Sequence, residues 1–426
     1  MLLGLALRML VFVTYQPAGL FSSDSYKYLI DADRLRPGPA HPFGYPALLV
    51  LLLPFKNLAV VSAVQHGLGL GIAVALYALL RRLGTGELAA TIGALPWLLD
   101  ALVLNMEQYV MAETLFVALV VAALAVLCWP QRILVRVAVL AGLLLALATM
   151  TRTVGLILVV PAAIYLLGRR AGRRQTAALV AAFALPLLVY ATAYRAQFGT
   201  FGLTNIDGLV LYGRVAPFAN CEGRLCDPRP RSERPGPNYY VSVPASPINR
   251  LRASAAERNR AGRKFFFRIV RHQPGDYLRQ VGSDLVRYAK PTRAKRRRDW
   301  PYSTWRFHDT YSEPDLRAAA VRKYGGTLRI AKGPARFLEG YSRFVITPGI
   351  LLALALLLGL AGSILGLRRR AESLLLSAAG FLLLLVPAAT AVFDYRFAVP
   401  ALALLPPAGA LGASLLADRL PELRGH

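Results

Sequence analysis

The sequence predicts an all-α polytopic membrane protein of about ten transmembrane helices with one large extracytoplasmic insert. Three observations predict it. First, the 426 residues are 56% apolar and 17% charged, against about 25% charged in a soluble domain, and long uncharged runs recur from end to end. Second, charge is uneven: of 50 basic and 23 acidic residues (net +27), 30 basic and 12 acidic fall between positions 195 and 343. Third, the short gaps that carry arginine clusters are every second gap along the chain. A soluble two-domain enzyme is excluded. The chain divides into a transmembrane module (1–194) with a polar first-loop region at about 18–46, a basic insert (195–343) and C-terminal transmembrane helices (344–426).

The candidate spans, in order, are 1–17, 57–80, 87–104, 111–129, 133–150, 154–168, 176–194, 344–367, 373–393 and 397–416. A span needs about 20 apolar residues; the shorter runs call for a thin bilayer or tilted neighbours. The first run lacks a basic n-region and a small-residue cleavage site, so it reads as a span and not as a removed signal peptide. Arg8 within it reads as snorkelling toward an interface. Orientation follows from the short basic loops Arg81-Arg82, Arg132 with Arg136, Arg169-Arg170 with Arg173-Arg174, and Arg368-Arg369-Arg370. With both termini cytoplasmic, all four lie inside, as positive-inside bias requires. The same parity puts the insert outside; that bias is silent on loops of its length. The location expected is an inner (plasma) membrane, multi-pass, with the functional face extracytoplasmic.

The insert is too long to be structureless. Its first half (DPRPRSERPGPNYY, 227–240) reads as irregular, and 255–290 as helix with a break at Pro274-Gly275. Phe265, Phe266, Ile269, Val270, Tyr277, Leu278, Val281, Leu285 and Tyr288 recur at helical spacing among basic residues. Two readings stay open: a basic amphipathic helix in the membrane interface, with Arg268, Arg271 and Arg279 toward lipid, or a surface helix packed on the insert's own core. Cys221 and Cys226 in NCEGRLC fit a local disulfide in an oxidising compartment or two free thiols; a zinc site needs about four ligands, and none stand nearby. Cys128 ends an apolar run.

Under this topology the outer side collects the unusual polar residues. The first loop supplies Asp24, Tyr26, Tyr28, Asp31, Asp33 and His41; later loops supply Asn105, Glu107, Gln108, Tyr109 and Glu113, then Thr151-Arg152, then Asp394-Tyr395-Arg396. Ionisable groups in or beside spans are expensive and are functional candidates by default. Each also has a plainer role. Asp24, in the cap string Ser22-Ser23-Asp24-Ser25, fits capping of the helix it precedes, Asp31 and Asp33 fit a solvated helix face, His41 fits loop packing, and Arg152 and Arg396 fit headgroup anchoring. Glu113 sits in the apolar run MAETLFVALV and needs a partner or a proton. Asp100 is a weaker case of the same kind, and His66 in QHGLGLG fits packing between helices beside small residues.

In order, these stretches resemble the C-type (GT-C superfamily) membrane glycosyltransferases, the group of the polyprenyl-phosphate-dependent protein O-mannosyltransferases, lipid A aminoarabinose transferases and arabinofuranosyltransferases. SSDSYKYLIDADRL (22–35) is similar to the family's first loop, which implies that Asp24 is a catalytic base. HPFGYP (41–46) resembles the HPPL/HPPGYP stretch, MAETLF (111–116) the SE(P)LF run with its Glu at Glu113, TRTVGLILVVPA (151–162) the RPxGLLL run with Thr153 for Pro, and DYRFAVPALALL (394–405) the RYxLPxLPLL run. The resemblance covers about 1–195 and 344–416. It departs where Ser25 follows Asp24, since many relatives carry two adjacent acidic residues; no cofactor is assigned, and a divalent cation and its ligands stay open. The insert also interrupts the body, whereas several relatives carry a C-terminal soluble domain.

The residues suit that chemistry. Sugar transfer from a polyprenyl phosphate to a hydroxyl needs a base near the incoming oxygen and cations at the departing phosphate. Asp24 fits the first, with Arg152, Arg396 and His41 at the phosphate, and Tyr26, Tyr28, Glu107, Glu113, Asp394 and Tyr395 binding or supporting substrate. Single displacement implies inversion. The partners expected are a polyprenyl-phosphate sugar, an extracytoplasmic glycan, lipid or protein acceptor, and membrane lipids. No glycine-rich nucleotide motif is present. A transporter or flippase of a lipid-linked sugar is the alternative, though polar groups cluster at one face and not at the midplane. A non-catalytic envelope scaffold is a further one. Nucleic-acid binding rests on charge alone and is set aside because the insert faces away from the cytoplasm.

Overall fold

The structure, a computed structural model, describes residues 1–21, 24–169, 172–293, 302–366 and 368–419. Ser22 and Ser23 of the cap string, Arg170 of the third basic loop, 294–301 of the insert and the C-terminal end of the 344–426 module lie outside them.

Among the described residues the chain forms nineteen α-helices and one two-stranded pairing. The first module contains α1 (Leu2–Thr14), α2 (Asp24–Asp33), α3 (Gly44–Leu52), α4 (Ala59–Arg82), α5 (Glu87–Leu99), α6 (Ala101–Gln108), α7 (Glu113–Cys128), α8 (Val135–Thr151), α9 (Val159–Gly168) and α10 (Arg173–Phe198). The insert contains α11 (Asp207–Val215), α12 (Pro237–Ser242), α13 (Ala255–His272), α14 (Pro274–Ala289), α15 (Pro314–Tyr324) and α16 (Lys332–Phe344). The last module contains α17 (Gly349–Leu365), α18 (Arg370–Thr390) and α19 (Val399–Ala417).

Four helical segments are long and apolar enough to cross a membrane: α4, α10, α18 and Tyr395–Ala417. Two more spans arise if the bent pairs α5–α6 (48°) and α16–α17 (52°) each count as one. These mark a multi-pass membrane protein. The remaining predicted runs fall on the shorter apolar helices Leu2–Thr14, Glu113–Cys128, Val135–Thr151 and Thr153–Gly168, and Gly44–Phe55 adds one that sequence reading left within a loop. The bend after α5 has a local cause: Asp100 leaves helical conformation, and its carboxylate accepts the Leu102 N–H at 2.8 Å and the Thr347 N–H at 2.6 Å.

The core lies between α4, α5, α7, α8 and α17–α19, with α19 buried along most of its length. Small residues set how closely α19 meets α17. A Cβ on Gly412 would lie 2.1 Å from the Leu358 carbonyl oxygen, so packing of backbone on backbone replaces side-chain interdigitation along this seam.

The insert has a separate core of Tyr212, Val215, Tyr240, Ile248, Phe265, Phe266 and Ile269. Helix α13 starts at a capping box, Ser254 with Glu257, in which each residue satisfies the other's backbone N–H. It ends at His272, and α14 restarts at Pro274, the break the sequence predicts. The inward stripe of α13 serves the insert's own core, while Phe267, Leu278 and Val286 stay exposed on the other side. Helices α15 and α16 were not foreseen. A short antiparallel pairing, β1 (Tyr15–Gln16) with β2 (Arg329–Ile330), ties the end of α1 to the insert.

Candidate active site

Asp24 is the first residue of α2. The Phe21 N–H donates to Ser25 Oγ in the first turn of α2 at 2.8 Å. One face of α2 presents Tyr28, whose ring meets His41 at 4.5 Å and Tyr45 at 4.9 Å between centroids. This stack returns the loop so that His41 Nε2 lies 3.4 Å from Asp24 Oδ1. Gly44 explains the next contact: a Cβ there would sit 2.6 Å from the Met150 carbonyl. Only glycine lets α3 press against the end of α8, where the chain turns out as Thr151-Arg152.

The other side comes from two helix starts. Glu113 opens α7, fully buried, and pairs with Arg152. Arg396 lies in the short 3₁₀ turn Tyr395–Ala398 ahead of α19, a turn capped by Asp394, whose Oδ1 accepts the Arg396 N–H at 3.0 Å. The Arg396 guanidinium is shared among three carboxylates: Nη1 is 2.8 Å from Asp24 Oδ2 and 3.9 Å from Glu113 Oε1, and Nε is 3.3 Å from Asp394 Oδ2. Its planar face lies over Phe21 (5.5 Å), Trp305 (5.2 Å) and Phe397 (5.4 Å), positions that suit cation–π attraction. Trp305 Nε1 donates to Asp394 Oδ1 at 2.7 Å.

Two carboxyls in this cluster respond to it in opposite directions. Burial would raise Asp24, but the Arg396 charge and the His41 contact outweigh it and hold the carboxyl well below the usual carboxylate range. Burial also acts on Asp394 and there prevails over Arg396, pushing it up to about 6. Asp24 is therefore ionised throughout the physiological range, whereas Asp394 titrates near its edge.

A cavity of about 410 Å³ opens on this cluster. Asp24, His41, Arg152 and Arg396 line it together with Asp207, several threonines and the apolar Val154, Leu211, Val386 and Pro387. A lining of this composition can take a ligand with an anionic head and an apolar part.

The other predicted residues fall elsewhere. Glu107 is not at the cavity; it is fully buried, with Arg8 Nη2 at 2.7 Å from Oε1 and His66 Nδ1 at 2.9 Å from Oε2. Arg8 therefore does not snorkel: it is 1% exposed and also donates to the Leu98 carbonyl at 2.9 Å. A buried carboxylate partner outcompetes the distant interface. Tyr26 is half-buried and does not line the cavity. Tyr395 packs behind Arg396 against Tyr288, Tyr302 and Phe393. Asp31 is buried and not solvated, while Asp33 pairs with Lys323 at 2.8 Å. Arg268 and Arg271 are exposed, and Arg279 pairs with Asp276 at 3.0 Å. Cys221 and Cys226 are joined as a disulfide, and Cys128 is a buried thiol. Among the described residues no three of His, Cys, Asp and Glu converge as a metal-ligand set.

Sequence reading missed Phe21, Trp305 and the α11 wall. Trp305 acts on Asp394 across 89 positions, and no local pattern announces such a contact. Compared with known protein families, curated proteins and solved structures, the chain matches none.

Proposed function

We propose that this cavity is the catalytic site of an inverting glycosyltransferase that moves a sugar from a polyprenyl-phosphate donor to an acceptor hydroxyl on the extracytoplasmic side of a plasma (inner) membrane. The observation that carries it is the convergence of Asp24, His41, Arg152 and Arg396 from separate chain segments onto one cavity that apolar side chains such as Val154, Leu211, Val386 and Pro387 also line. The order of the motifs, which resembles that of the C-type membrane glycosyltransferases, supports the same reading. So does the Cys221–Cys226 bridge, since a disulfide in the insert fits an oxidising, extracytoplasmic compartment.

In this reading the polyprenyl tail lies along Val386 and Pro387, and the phosphodiester meets Arg152, Arg396 and His41. The acceptor oxygen attacks the anomeric carbon from the face opposite the phosphate. Its proton goes to Asp24, the new C–O bond forms, and the C–O bond to phosphate breaks with its electron pair leaving as polyprenyl phosphate. Guanidiniums that stabilise the charge growing on that oxygen lower the barrier directly. Arg396 leaves Asp24 as it turns to phosphate, which frees the base only when donor is in place. Glu113 and Asp394 are positioning residues that hold the two arginines.

The test is turnover by purified full-length protein of a synthetic short-chain polyprenyl-phosphate pentose or hexose, read as release of polyprenyl phosphate and by the anomeric configuration of the product. Release with inversion is expected. Movement of the lipid-linked sugar across a vesicle, with no cleavage of any donor, would overturn the proposal in favour of a transporter. Sidedness is tested separately: Ser232→Cys should react with an impermeant thiol reagent in intact cells, and Arg369→Cys should not.

A further inference from the structure

A second cavity, of about 500 Å³, lies on the other side of a single aromatic layer from the first. Phe21 lines it, and the same ring packs on Trp305 at 4.9 Å and carries the Arg396 guanidinium of the first cavity 5.5 Å from its centroid. Its walls are the outer ends of α1 and α6 and the insert segment 303–317. It shares no lining residue with the Asp24 cavity.

Two of its wall residues carry buried polar atoms left without a partner among the described residues. The Tyr15 hydroxyl is one, on a residue 8% exposed. Arg317 Nη1 is the other: this guanidinium, 3% exposed, gives Nη2 to the Leu20 carbonyl at 2.7 Å and Nε to the Ser312 carbonyl at 2.8 Å, and keeps Nη1 unmatched. Buried donors are nearly always satisfied, and an orphan calls for an explanation. Arginine can only donate, so what completes it is an acceptor oxygen.

We propose that this cavity is the acceptor subsite and takes a saccharide. The inference rests on the glycosyltransferase reading above and names the acceptor class. A sugar ring has an apolar C–H face and an edge of oxygens. The lining has both complements: aromatic side chains of Tyr15, Phe21, Phe307 and Tyr311, and polar ones of Asn105, Gln108, Thr304 and Arg317, with the Tyr15 hydroxyl and Arg317 Nη1 buried and unmatched among the described residues. Glu313 on the same wall offsets part of the basic charge, which suits a hydroxyl-rich ligand better than a highly charged one. A saccharide arriving from the aqueous side enters without crossing lipid, and its terminal hydroxyl reaches Asp24 past the Phe21 ring.

The experiment uses the full chain in detergent with three octyl-linked disaccharides as probes, a neutral hexose pair, a neutral pentose pair and a uronate-bearing pair. Tyr15→Phe is the decisive variant. The hydroxyl it removes has no hydrogen-bond partner among the described residues, so a merely structural role predicts unchanged or slightly raised thermal stability. The proposal predicts in addition about a tenfold weaker KM for the best disaccharide, as expected for loss of one hydrogen bond of about 1.5 kcal/mol, with the donor KM unchanged. Arg317→Lys keeps the charge and should raise acceptor KM in the same way. If donor is cleaved to water but no disaccharide binds or accepts sugar, or if both variants leave acceptor KM within twofold, the acceptor assignment fails while the reaction class stands. If wild type cleaves no donor, the reaction class itself fails; saturable disaccharide binding lost in Tyr15→Phe would still support the cavity as a saccharide site.

Discussion

Glu107 and Glu113 are six residues apart in the sequence, both fully buried and both paired with an arginine, yet they belong to different kinds of site. The Glu107 carboxylate is closed: both its oxygens are hydrogen-bonded, although Arg8 Nε, like Arg396 Nε, is buried without a hydrogen-bond partner among the described residues. Arg8 meets one carboxylate oxygen, His66 meets the other, Gln65 donates to the backbone carbonyl at 2.8 Å, and His66 in turn contacts Gln108. Around Glu113 the network is open. Its oxygens and Arg396 Nε are held by charge contacts without hydrogen bonds among the described residues. The neighbouring side chains of Arg152, Arg396 and His41 remain 18%, 14% and 21% exposed, against 1% for Arg8. A buried charge in an apolar bundle is a functional candidate by default. The comparison teaches a sharper criterion: a carboxylate whose two oxygens are both hydrogen-bonded braces helices, whereas one without hydrogen bonds beside a cavity has capacity for a ligand.

The largest expected effect lies on the open side. Asp24→Asn keeps the shape and the helix-capping ability of the side chain but cannot take a proton, so turnover per folded molecule should fall about 10²–10⁴-fold. Thermal unfolding measured in the same detergent should change far less than turnover. A variant within about threefold of wild type would remove Asp24 as base and blur the distinction between the two clusters. The next effect lies on the closed side and should read out in the opposite way. Glu107→Gln leaves Arg8 buried without its counter-charge, which typically costs about 3–5 kcal/mol; melting temperature should drop sharply while kcat of the surviving folded protein holds. Loss of kcat without loss of stability would reclassify Glu107 as part of the reaction. Smaller again is Arg396→Lys, which keeps the charge and loses the planar fork. Loss of one charge-assisted hydrogen bond, about 1.5–3 kcal/mol, corresponds to about 10- to 100-fold in kcat/KM for donor.

The residues at the candidate site were legible because each sits where a local rule breaks: an acid at the head of α2, a carboxylate opening an apolar helix, an arginine at each of two helix ends. Loop parity then put them on one face before any contact was known. The partnership of Arg8 with Glu107 spans 99 positions and has no signature in a single sequence, so Glu107 was grouped with the site on proximity alone. One residue along a helix is a turn of about 100°, and that separates Gln108, which lines the second cavity, from Glu107, which does not. Helix α15 had a signal that went unused, Pro314 in its first turn and Gly325 at its end, the usual pairing of start and stop residues.

The smallest effect tests how the open cluster takes an anion. Three carboxylates (Asp24, Glu113 and Asp394) face two guanidiniums there, with the His41 imidazole at the edge. A phosphodiester carries one more negative charge, so its binding is favoured when one carboxylate takes a proton. Asp24 is held well below the usual carboxylate range by Arg396 and His41 against the pull of burial, whereas burial pushes Asp394 up to about 6; Asp394 is therefore the carboxyl that yields. The sign follows from linkage: a ligand that prefers the protonated form binds more tightly as pH falls through that group's pKa. Donor KM should drop severalfold from pH 8 to pH 5.5, while Asp24, ionised across that range, stays available as base. Asp394→Asn retains acceptors for the Trp305 indole and the Arg396 N–H while removing the charge, so it should show the low KM already at pH 8 and little change with pH. A wild-type KM flat with pH, or a slope that survives in Asp394→Asn, would mean that the cluster binds phosphate without proton uptake and that Asp394 only orients Arg396.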